Sequence, residues 1–330
     1  MADLKIIAEA AQGYEGKPEL TTLLVMAAAQ AKADGVKFQL VYADELATPD
    51  YQHYELFKSL EMPDQTWADI KLLADTMGVA LYLDIFGSRS LTLAQQLGCP
   101  GIKIHSTDMA NFGLLEEVAS SAVPLALLST AGCSDAEVEE ALLLLKKKPV
   151  VLLHGFQGYP TPIEANDIAR IRRLRWLLDA SSHSGVIGFA DHAPADDPTR
   201  FLLPAVALGA GALVIEKHLT LSKIMKFEDH EAALSPDEFA EFVTQMRACD
   251  SALGTDTAMH AAELEYRKKT RKHAVAARAI AAGETIGPDM IGLLRTASTD
   301  AIYDARSVYG RRAKTAIGAG SAISEKLLET

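Results

Sequence analysis

Ionisable and polar side chains follow short β-rich runs of this sequence at regular intervals. The set comprises Glu9, Lys37 with Gln39, Asp84, Lys103 with His105, Ser106 and Asp108, Ser129 with Thr130, His154 with Gln157 and Tyr159, Asp191 with His192, and Glu216 with Lys217 and His218. Burying so many ionisable groups is costly for a marginally stable fold unless they serve a purpose. We therefore expect these side chains to converge on a ligand.

Two lysines stand inside hydrophobic runs, Val36-Lys37-Phe38 and Ile102-Lys103-Ile104. If the runs are strands of a barrel, alternate side chains point inward, and both ammonium groups enter the same interior. Such a pair predicts a binding site for an anion. Two alternatives stay open: the lysines are end residues that extend to water, or one is a desolvated amine for Schiff-base chemistry.

His192 and His218 follow two consecutive runs, with Glu216 and Asp229 nearby in the sequence. Neutral imidazoles beside carboxylates can bind a divalent metal or transfer protons. A histidine at a strand end is more often a hydrogen-bonded structural residue, so both interpretations stay open.

Eight β-rich runs alternate with amphipathic stretches and would position these groups; they lie at 6–8, 36–38, 80–83, 102–104, 125–128, 150–153, 186–188 and 212–215. Two helix starts are marked by capping boxes, Ser134 with Glu137 and Ser235 with Glu238. The pattern ends near residue 254, a length typical of a (β/α)8 TIM barrel, whose active site lies at the carboxyl ends of the strands. A doubly wound sheet is the alternative.

A charged stretch at 255–272 follows and is predicted to be a partly helical linker. The remaining residues, 273–330, contain a weak repeat in which 278–286 resembles 315–323. Gly283 and Gly320 occupy equivalent positions and suit turns with positive φ, so two β-turn-β units are predicted. Such a module is too small to bury much surface alone, so we expect it to pack on the barrel or on another subunit.

The composition is that of a globular protein, with 49% apolar and 23% charged residues. A net charge of −12 disfavours binding to nucleic acid or to anionic membranes. The three cysteines have neither disulfide-framework nor zinc-site spacing. With no signal-like N-terminus and no apolar segment of membrane-spanning length, we expect a soluble, cytoplasmic protein.

Taken together, several segments resemble the sialic acid synthase family, the phosphoenolpyruvate-condensing nonulosonate synthases that include spore coat polysaccharide biosynthesis synthases. The matching segments are Val36-Lys37-Phe38-Gln39, Ile102-Lys103-Ile104-His105-Ser106-Thr107-Asp108, Leu128-Ser129-Thr130-Ala131-Gly132, Tyr159-Pro160-Thr161-Pro162, Asp191-His192 and Ile215-Glu216-Lys217-His218-Leu219-Thr220. The tail, with Ala277 to Glu284 and Leu294-Arg295, resembles the family's C-terminal antifreeze-like (SAF, β-clip) domain.

The resemblance implies a metal-dependent condensation of phosphoenolpyruvate with an N-acyl-mannosamine-type or related amino-sugar aldehyde, giving a nonulosonic 2-keto acid and phosphate. It implies that His192 and His218 bind Mn²⁺ or Mg²⁺, and that Arg295 reaches the partner's site in a domain-swapped homodimer. The other implied residues are Glu9, Asp108, Tyr159 and Asp229 for catalysis, and Lys37, Gln39, Asp84, Lys103, Ser106, Gln157 and Glu216 for substrate binding.

Three departures from the family pattern concern the substrate. Asp84 stands in a segment that replaces a Ser/Thr-Pro-Phe motif, Gln157 replaces an asparagine, and the loop at 10–16 lacks the usual asparagine and histidine. They predict a different acceptor sugar or altered handling of phosphoenolpyruvate. A non-catalytic protein that binds a sugar or sugar phosphate, and a Schiff-base aldolase, are the competing hypotheses.

Overall fold

The structure is a computed structural model that describes residues 3–145, 148–254 and 258–329. The chain divides into two compact units, Met1–Gly254 and Thr255–Thr330. The strands of the first unit are β1 Lys5–Ala11, β2 Gly35–Gln39, β3 Ala80–Ile85, β4 Ile102–Ile104, β5 Ala126–Ser129, β6 Val150–Gly155, β7 Gly185–Asp191 and β8 Ala212–His218. Its helices are α1 Pro18–Gln30, α2 Ala43–Leu46, α3 Tyr54–Leu60, α4 Asp64–Met77, α5 Ser88–Gln96, α6 Phe112–Ser120, α7 Asp135–Leu145, α8 Arg170–Ala180, α9 Leu202–Gly209 and α10 Pro236–Leu253.

The eight strands form a closed parallel barrel in sequence order, with β8 pairing with β1. Each predicted run corresponds to one strand, so the (β/α)8 prediction is confirmed and the doubly wound alternative is wrong. The short apolar runs form strands because they are buried on both faces, between the barrel interior and the surrounding helices.

The barrel interior has an apolar layer on which the polar side chains rest. Ile7, Leu127, Val151, Leu153 and Val214 form a buried cluster of their own, separate from the larger core under the helices. Because side chains two positions apart on a strand share a face, the next inward positions lie closer to the carboxyl ends. The layer therefore closes the bottom of the site.

Hydrogen bonds stabilise the starts of two barrel helices and connect the last helix to the first strand. Both predicted capping boxes are present: Glu137 accepts the backbone N–H of Ser134 at 2.7 Å, and Glu238 accepts that of Ser235 at 2.9 Å. At the far side of α10, Arg247 donates to the carbonyl oxygen of Leu4 at 2.7 Å. The last helix is thereby tied to the segment entering β1.

The second unit contains α11 Ala261–Thr270 and a two-stranded antiparallel sheet of β9 His273–Ala276 and β10 Ile291–Leu294. It has its own apolar core, which includes Ile280, Ile286 and Ile317. Gly283 and Gly320 have φ of +77° and +81°, as turns at these positions require. The two repeats pair with each other through an antiparallel bridge between Ile280 and Ile317, a contact that the repeat did not predict.

Two further expectations concern membranes and disulfides. Across the described residues, no helix is both long and apolar enough to span a bilayer. Cys99, Cys133 and Cys249 are all free thiols.

Candidate active site

Strand register places the predicted charged residues side by side at the carboxyl ends of the barrel strands. Glu9 on β1 is in register with Lys37 on β2 and with His218 on β8. Asp84 on β3 is in register with Lys103 on β4. Lys37, Lys103, His192 and His218, which come from separate strands, therefore share one rim.

Two lysines and three carboxylates form a buried charge cluster at this rim. The Lys37 ammonium donates to Glu9 and, at 2.7 Å, to Asp84, and lies 3.7 Å from Glu216. Lys103 lies 3.0 Å from Glu216, 3.5 Å from Glu9 and 3.7 Å from Asp84. Lys37 is completely buried and the Lys103 side chain is 7% exposed. The cluster therefore has one more negative than positive charge.

The lysine charges are compensated by protein carboxylates, a pairing that the sequence did not predict, and the anion site expected at the lysines stays a prediction. The alternative in which the lysines extend to water is wrong, because both are buried. Burial opposes the charged form of Lys103, yet Asp84, Glu216 and Glu9 hold its pKa well above the usual value. A lysine that stays protonated is a poor amine nucleophile, so this environment disfavours Schiff-base chemistry.

Asp84 is the carboxyl group of the cluster whose protonation is favoured. Burial raises its pKa to about 6; Lys103 and Lys37 oppose the shift, while Glu9 and Glu216 add to it. For Glu9, burial also favours the neutral acid, but Lys37 and Lys103 outweigh it and hold the pKa far below the usual range. One proton taken up at Asp84 would make the cluster neutral.

The raised pKa of Asp84 predicts a pH-dependent difference between the protein and its Asp84→Asn variant. Between pH 7.5 and 5 the folded protein gains a proton at Asp84 while an unfolded aspartate, of pKa near 3.9, stays largely ionised. Lowering the pH should therefore raise the free energy of unfolding of the parent relative to the variant, by about 1 kcal/mol. Urea unfolding at both pH values measures the difference.

Asp69→Asn, at an exposed position of α4, is the matched control and should show no such trend. The protonation of Asp84 would be contradicted if the free energy of unfolding of the parent, relative to that of Asp84→Asn, stays constant or falls as the pH is lowered.

His192 and His218 lie beside the cluster with their ring centroids 5.1 Å apart. Burial lowers the pKa of His218 to about 3, and burial together with His218 and Lys103 lowers that of His192 well below its usual value. The His192 Nδ1 donates to the Ala190 carbonyl at 2.9 Å, which leaves Nε2 with a free lone pair. The Nε2 of His218 is buried without a hydrogen-bond partner.

Two neutral imidazoles with unpartnered nitrogens fit a divalent metal ion. Metal ligation requires the neutral imidazole, and a buried nitrogen without a partner is otherwise unfavourable. Among the described residues there is no group of three or more His, Cys, Asp or Glu side chains arranged to hold a metal. The protein would therefore supply two ligands, leaving other positions to water or substrate.

Tyr159 and Asp229 form the wall next to the histidines. The Tyr159 ring lies 6.0 Å from that of His218, and its hydroxyl donates to the backbone carbonyl of Asp229. Burial, and then Asp229, raise the pKa of Tyr159, so the phenol stays protonated. Burial, with Glu9 next, raises the pKa of Asp229 to about 7, and its carboxylate lies 4.0 Å from Nδ1 of His218.

The remaining predicted site residues have separate surroundings. The side chain of Gln39 accepts a hydrogen bond from that of Gln12 at 2.7 Å, and Asp108 accepts one from Asn111 in its own loop at 3.1 Å. Ser106 and Gln157 line a cavity at the ends of β4, β5 and β6. Arg295 lies in the second unit, where its Nε donates to the carbonyl of Thr270 at 3.0 Å.

Two charged residues near the rim differ from what the sequence predicted. Lys217, one of the strand-end residues expected to converge on a ligand, lies on the opposite face of β8 from Glu216 and His218, where it is fully buried 3.0 Å from Asp191. Arg170, which was not predicted, begins α8 and lines the same cavity as Ser106 and Gln157. It follows no strand, so no sequence pattern indicated it.

Family models match both units of the chain. A model described as the NeuB family matches residues 24–258, and a model of the SAF domain matches residues 271–329. The SAF match agrees with the tail resemblance.

Individual relatives match over most of their length. The N,N'-diacetyllegionaminic acid synthase of Legionella pneumophila is 29% identical, over 96% of this chain and 92% of that protein. The spore coat polysaccharide biosynthesis protein SpsE of Bacillus subtilis is 32% identical, over 76% of this chain and 69% of that protein. The solved structure of an N-acetylneuraminic acid synthetase from Leptospira borgpetersenii, in complex with citrate, superimposes with a TM-score of 0.72 at 29% identity. The match covers 80% of this chain and 91% of that one.

Proposed function

Because this chain belongs to the NeuB family, we propose that it is a nonulosonic acid synthase that condenses phosphoenolpyruvate with an open-chain amino sugar of the N-acyl-mannosamine type or a related one. The observation that carries the proposal is the joint rim of buried charges and neutral histidines at the carboxyl ends of the barrel strands. This is the end at which barrels of this architecture hold their active sites.

The proposed reaction balances without an external oxidant or reductant. The C2=C3 π bond of phosphoenolpyruvate supplies the electron pair for a bond from C3 to the aldehyde carbon, and the aldehyde oxygen takes up a proton. Water adds at C2 and gives up its two protons, one balancing the proton taken up by the aldehyde oxygen and the other leaving with the phosphate. The C2–O bond to the phosphate breaks, so that a 2-keto sugar acid and inorganic phosphate remain. The protein must bind an anion, orient an aldehyde and place one water molecule.

We assign these tasks to residues at the rim, with the anion assigned to Lys37, Lys103 and Ser106 as the resemblance implies. A Mn²⁺ or Mg²⁺ ion held by His192 and His218 would supply Lewis acidity toward the aldehyde. Glu9, kept ionised by Lys37, accepts hydrogen bonds and can orient a hydroxyl group or the water. The protonated Tyr159 forms a wall for the sugar beside Asp229. Asp108 is assigned to proton transfer from the loop after β4.

Arg295 supports a proposed contribution from a second copy of the chain. Its side chain is exposed on the C-terminal unit, which matches the SAF domain. The family resemblance implies that an arginine of this domain reaches the active site of the other subunit. In the proposed domain-swapped homodimer, Arg295 of one subunit would contact the sugar bound by the other.

Phosphate release tests the proposed activity. The protein is incubated with Mn²⁺ or Mg²⁺, phosphoenolpyruvate and a panel of 2-acetamido sugars. We expect inorganic phosphate to appear only with a true acceptor, with one equivalent of a nonulosonic acid detected by mass spectrometry, and EDTA to stop the reaction because the histidines then lack their ion.

Two other outcomes identify the competing functions. If no sugar of the panel gives phosphate release but sugar binding is measurable, a non-catalytic binding protein is favoured. The ion pairs of Lys37 and Lys103 with protein carboxylates would agree with that function. Trapping by borohydride with indifference to EDTA would favour a Schiff-base aldolase, against the high pKa of Lys103.

A further inference from the structure

A second buried ion pair lies on the outer face of the barrel, behind the two histidines. Asp191 on β7 and Lys217 on β8 are in register with each other. Each of them immediately precedes one of the histidines, His192 or His218, in the chain. Because successive side chains of a strand point to opposite faces, the ion pair faces away from the barrel interior and the histidines face into it. The ion pair is therefore outside the space that a ligand at the rim would occupy.

Both charges of this pair are fully buried. The Lys217 ammonium lies 3.0 Å from the Asp191 carboxylate, and neither side chain has exposed surface. Burying two charges costs desolvation energy, and apolar residues of similar size often stabilise a fold as well as a buried ion pair does. Stability alone is therefore a poor reason for the pair, whereas its place directly before both histidines indicates a role in their geometry.

The ion pair also holds the backbone that follows His192. The Asp191 carboxylate accepts the N–H of Ala193 at 2.9 Å, and the Lys217 ammonium donates to the carbonyl of Ala193 at 3.1 Å. The carbonyl of His192 in turn accepts the N–H of Thr161 at 2.8 Å. The backbone that carries the His192 ring is thereby fixed by contacts from two other segments of the barrel.

We propose that the Asp191–Lys217 ion pair sets the spacing and orientation of the His192 and His218 rings, which makes Asp191 and Lys217 positioning residues. The inference rests on the proposed function for the metal ion that the rings would bind. The pair joins the last residue of β7 to the residue before the end of β8, so it limits how far these strand ends can separate. The ring centroids, 5.1 Å apart, depend on that separation.

Mn²⁺ binding to the full chain, without substrates, tests the inference. Lys217→Met removes the charge and keeps most of the apolar stem. Its Mn²⁺ affinity, measured by electron paramagnetic resonance, should fall about 10- to 100-fold, as is typical when a group that orients a metal ligand is lost.

Lys148→Met is the matched control for the loss of a buried lysine. Lys148 is also buried, but it precedes β6 at the opposite end of the strands, where it donates to the carbonyls of Ser121 and Val123 at 2.7 Å each. Its replacement should lower the free energy of unfolding but leave the Mn²⁺ affinity within about twofold of the parent, because Lys148 orients no candidate metal ligand.

The double variant Lys217→Met/Asp191→Asn separates positioning from stability. It removes both charges, so it should regain part of the free energy of unfolding that Lys217→Met loses, and it remains informative if the single variant does not fold. Its Mn²⁺ affinity should stay low, because β7 and β8 still lack their link. The inference is overturned if the double variant regains Mn²⁺ affinity together with stability, or if Lys217→Met binds Mn²⁺ as the parent does.

The tautomer of His192 gives a readout that needs no metal ion. Its Nδ1 donates to the Ala190 carbonyl at 2.9 Å, so long-range proton–nitrogen NMR of the metal-free parent should show a single tautomer. With the backbone released, Lys217→Met and the double variant should show exchange between tautomers, and Lys148→Met should not. An unchanged His192 signal in both Lys217 variants would overturn the inference.

These measurements keep the inference separate from the proposed function. If the parent binds no Mn²⁺, the metal assignment of the proposed function fails, and the His192 tautomer alone decides whether the ion pair positions the ring. If no sugar gives phosphate release, the condensation proposal fails, but Mn²⁺ affinity and the tautomer still test Lys217.

Discussion

Replacing Lys37 by methionine should lower the free energy of unfolding by about 3–5 kcal/mol, the range measured when one partner of a buried ion pair is removed. Methionine retains the length and most of the apolar contacts of the lysine stem. It leaves Glu9, Asp84 and Glu216 facing Lys103 alone. Urea unfolding at pH 8, followed by circular dichroism, measures the change.

The double variant Lys37→Met/Asp84→Asn is the decisive control. It removes one positive and one negative charge, so the cluster keeps the net charge of the parent. We expect it to be more stable than Lys37→Met alone, and we expect the single variant to recover stability as the pH is lowered, when a carboxylate takes up a proton. Two results would show that the ammonium does not stabilise these carboxylates. One is a free energy of unfolding of Lys37→Met within 1 kcal/mol of the parent, and the other is a double variant that is no more stable than Lys37→Met.

Strand positions were predictable from the sequence because the physical rules are local. Side chains alternate along a strand, so Lys37 inside Val36-Lys37-Phe38 must face away from its apolar neighbours. The carboxyl ends of the strands in a (β/α)8 barrel lie at one face, so the residues that follow the strands must gather there. These two rules are sufficient to bring Lys37, Lys103, His192 and His218 together.

The partners of each charge were not predictable, because they depend on register across the closed barrel. Glu9 meets Lys37 only because β1 and β2 pair at those residues, and Glu216 meets Lys103 from across the interior. Neither contact has a signature in sequence spacing. For the same reason the sequence favoured an anion site at the lysines without indicating the carboxylates that compensate them.

Asp84, which departs from the family pattern, contacts one of the two barrel lysines. A carboxylate in this position lies 2.7 Å from the Lys37 ammonium, so a substrate anion would compete with Asp84 for that cation.

Replacing His218 by alanine should lower kcat for phosphate release by about 10³-fold or more. The change removes one of two neutral imidazoles and the buried Nε2 that has no protein partner. A lost metal ligand removes Lewis-acid stabilisation of several kcal/mol, and each 1.4 kcal/mol corresponds to about tenfold in rate. Steady-state phosphate release and Mn²⁺ binding followed by electron paramagnetic resonance are the two measurements, and both should fall.

The fold should survive this substitution, because the apolar layer of the barrel and the helix core do not include His218. His183→Ala is the matched control, since His183 precedes β7 at the opposite end of the strands and contacts the carbonyl of Lys148. It should retain Mn²⁺ affinity and turnover. If His218→Ala folds and keeps both its Mn²⁺ affinity and its kcat within tenfold of the parent, His218 is not a metal ligand, and the divalent ion must be assigned elsewhere or removed from the mechanism.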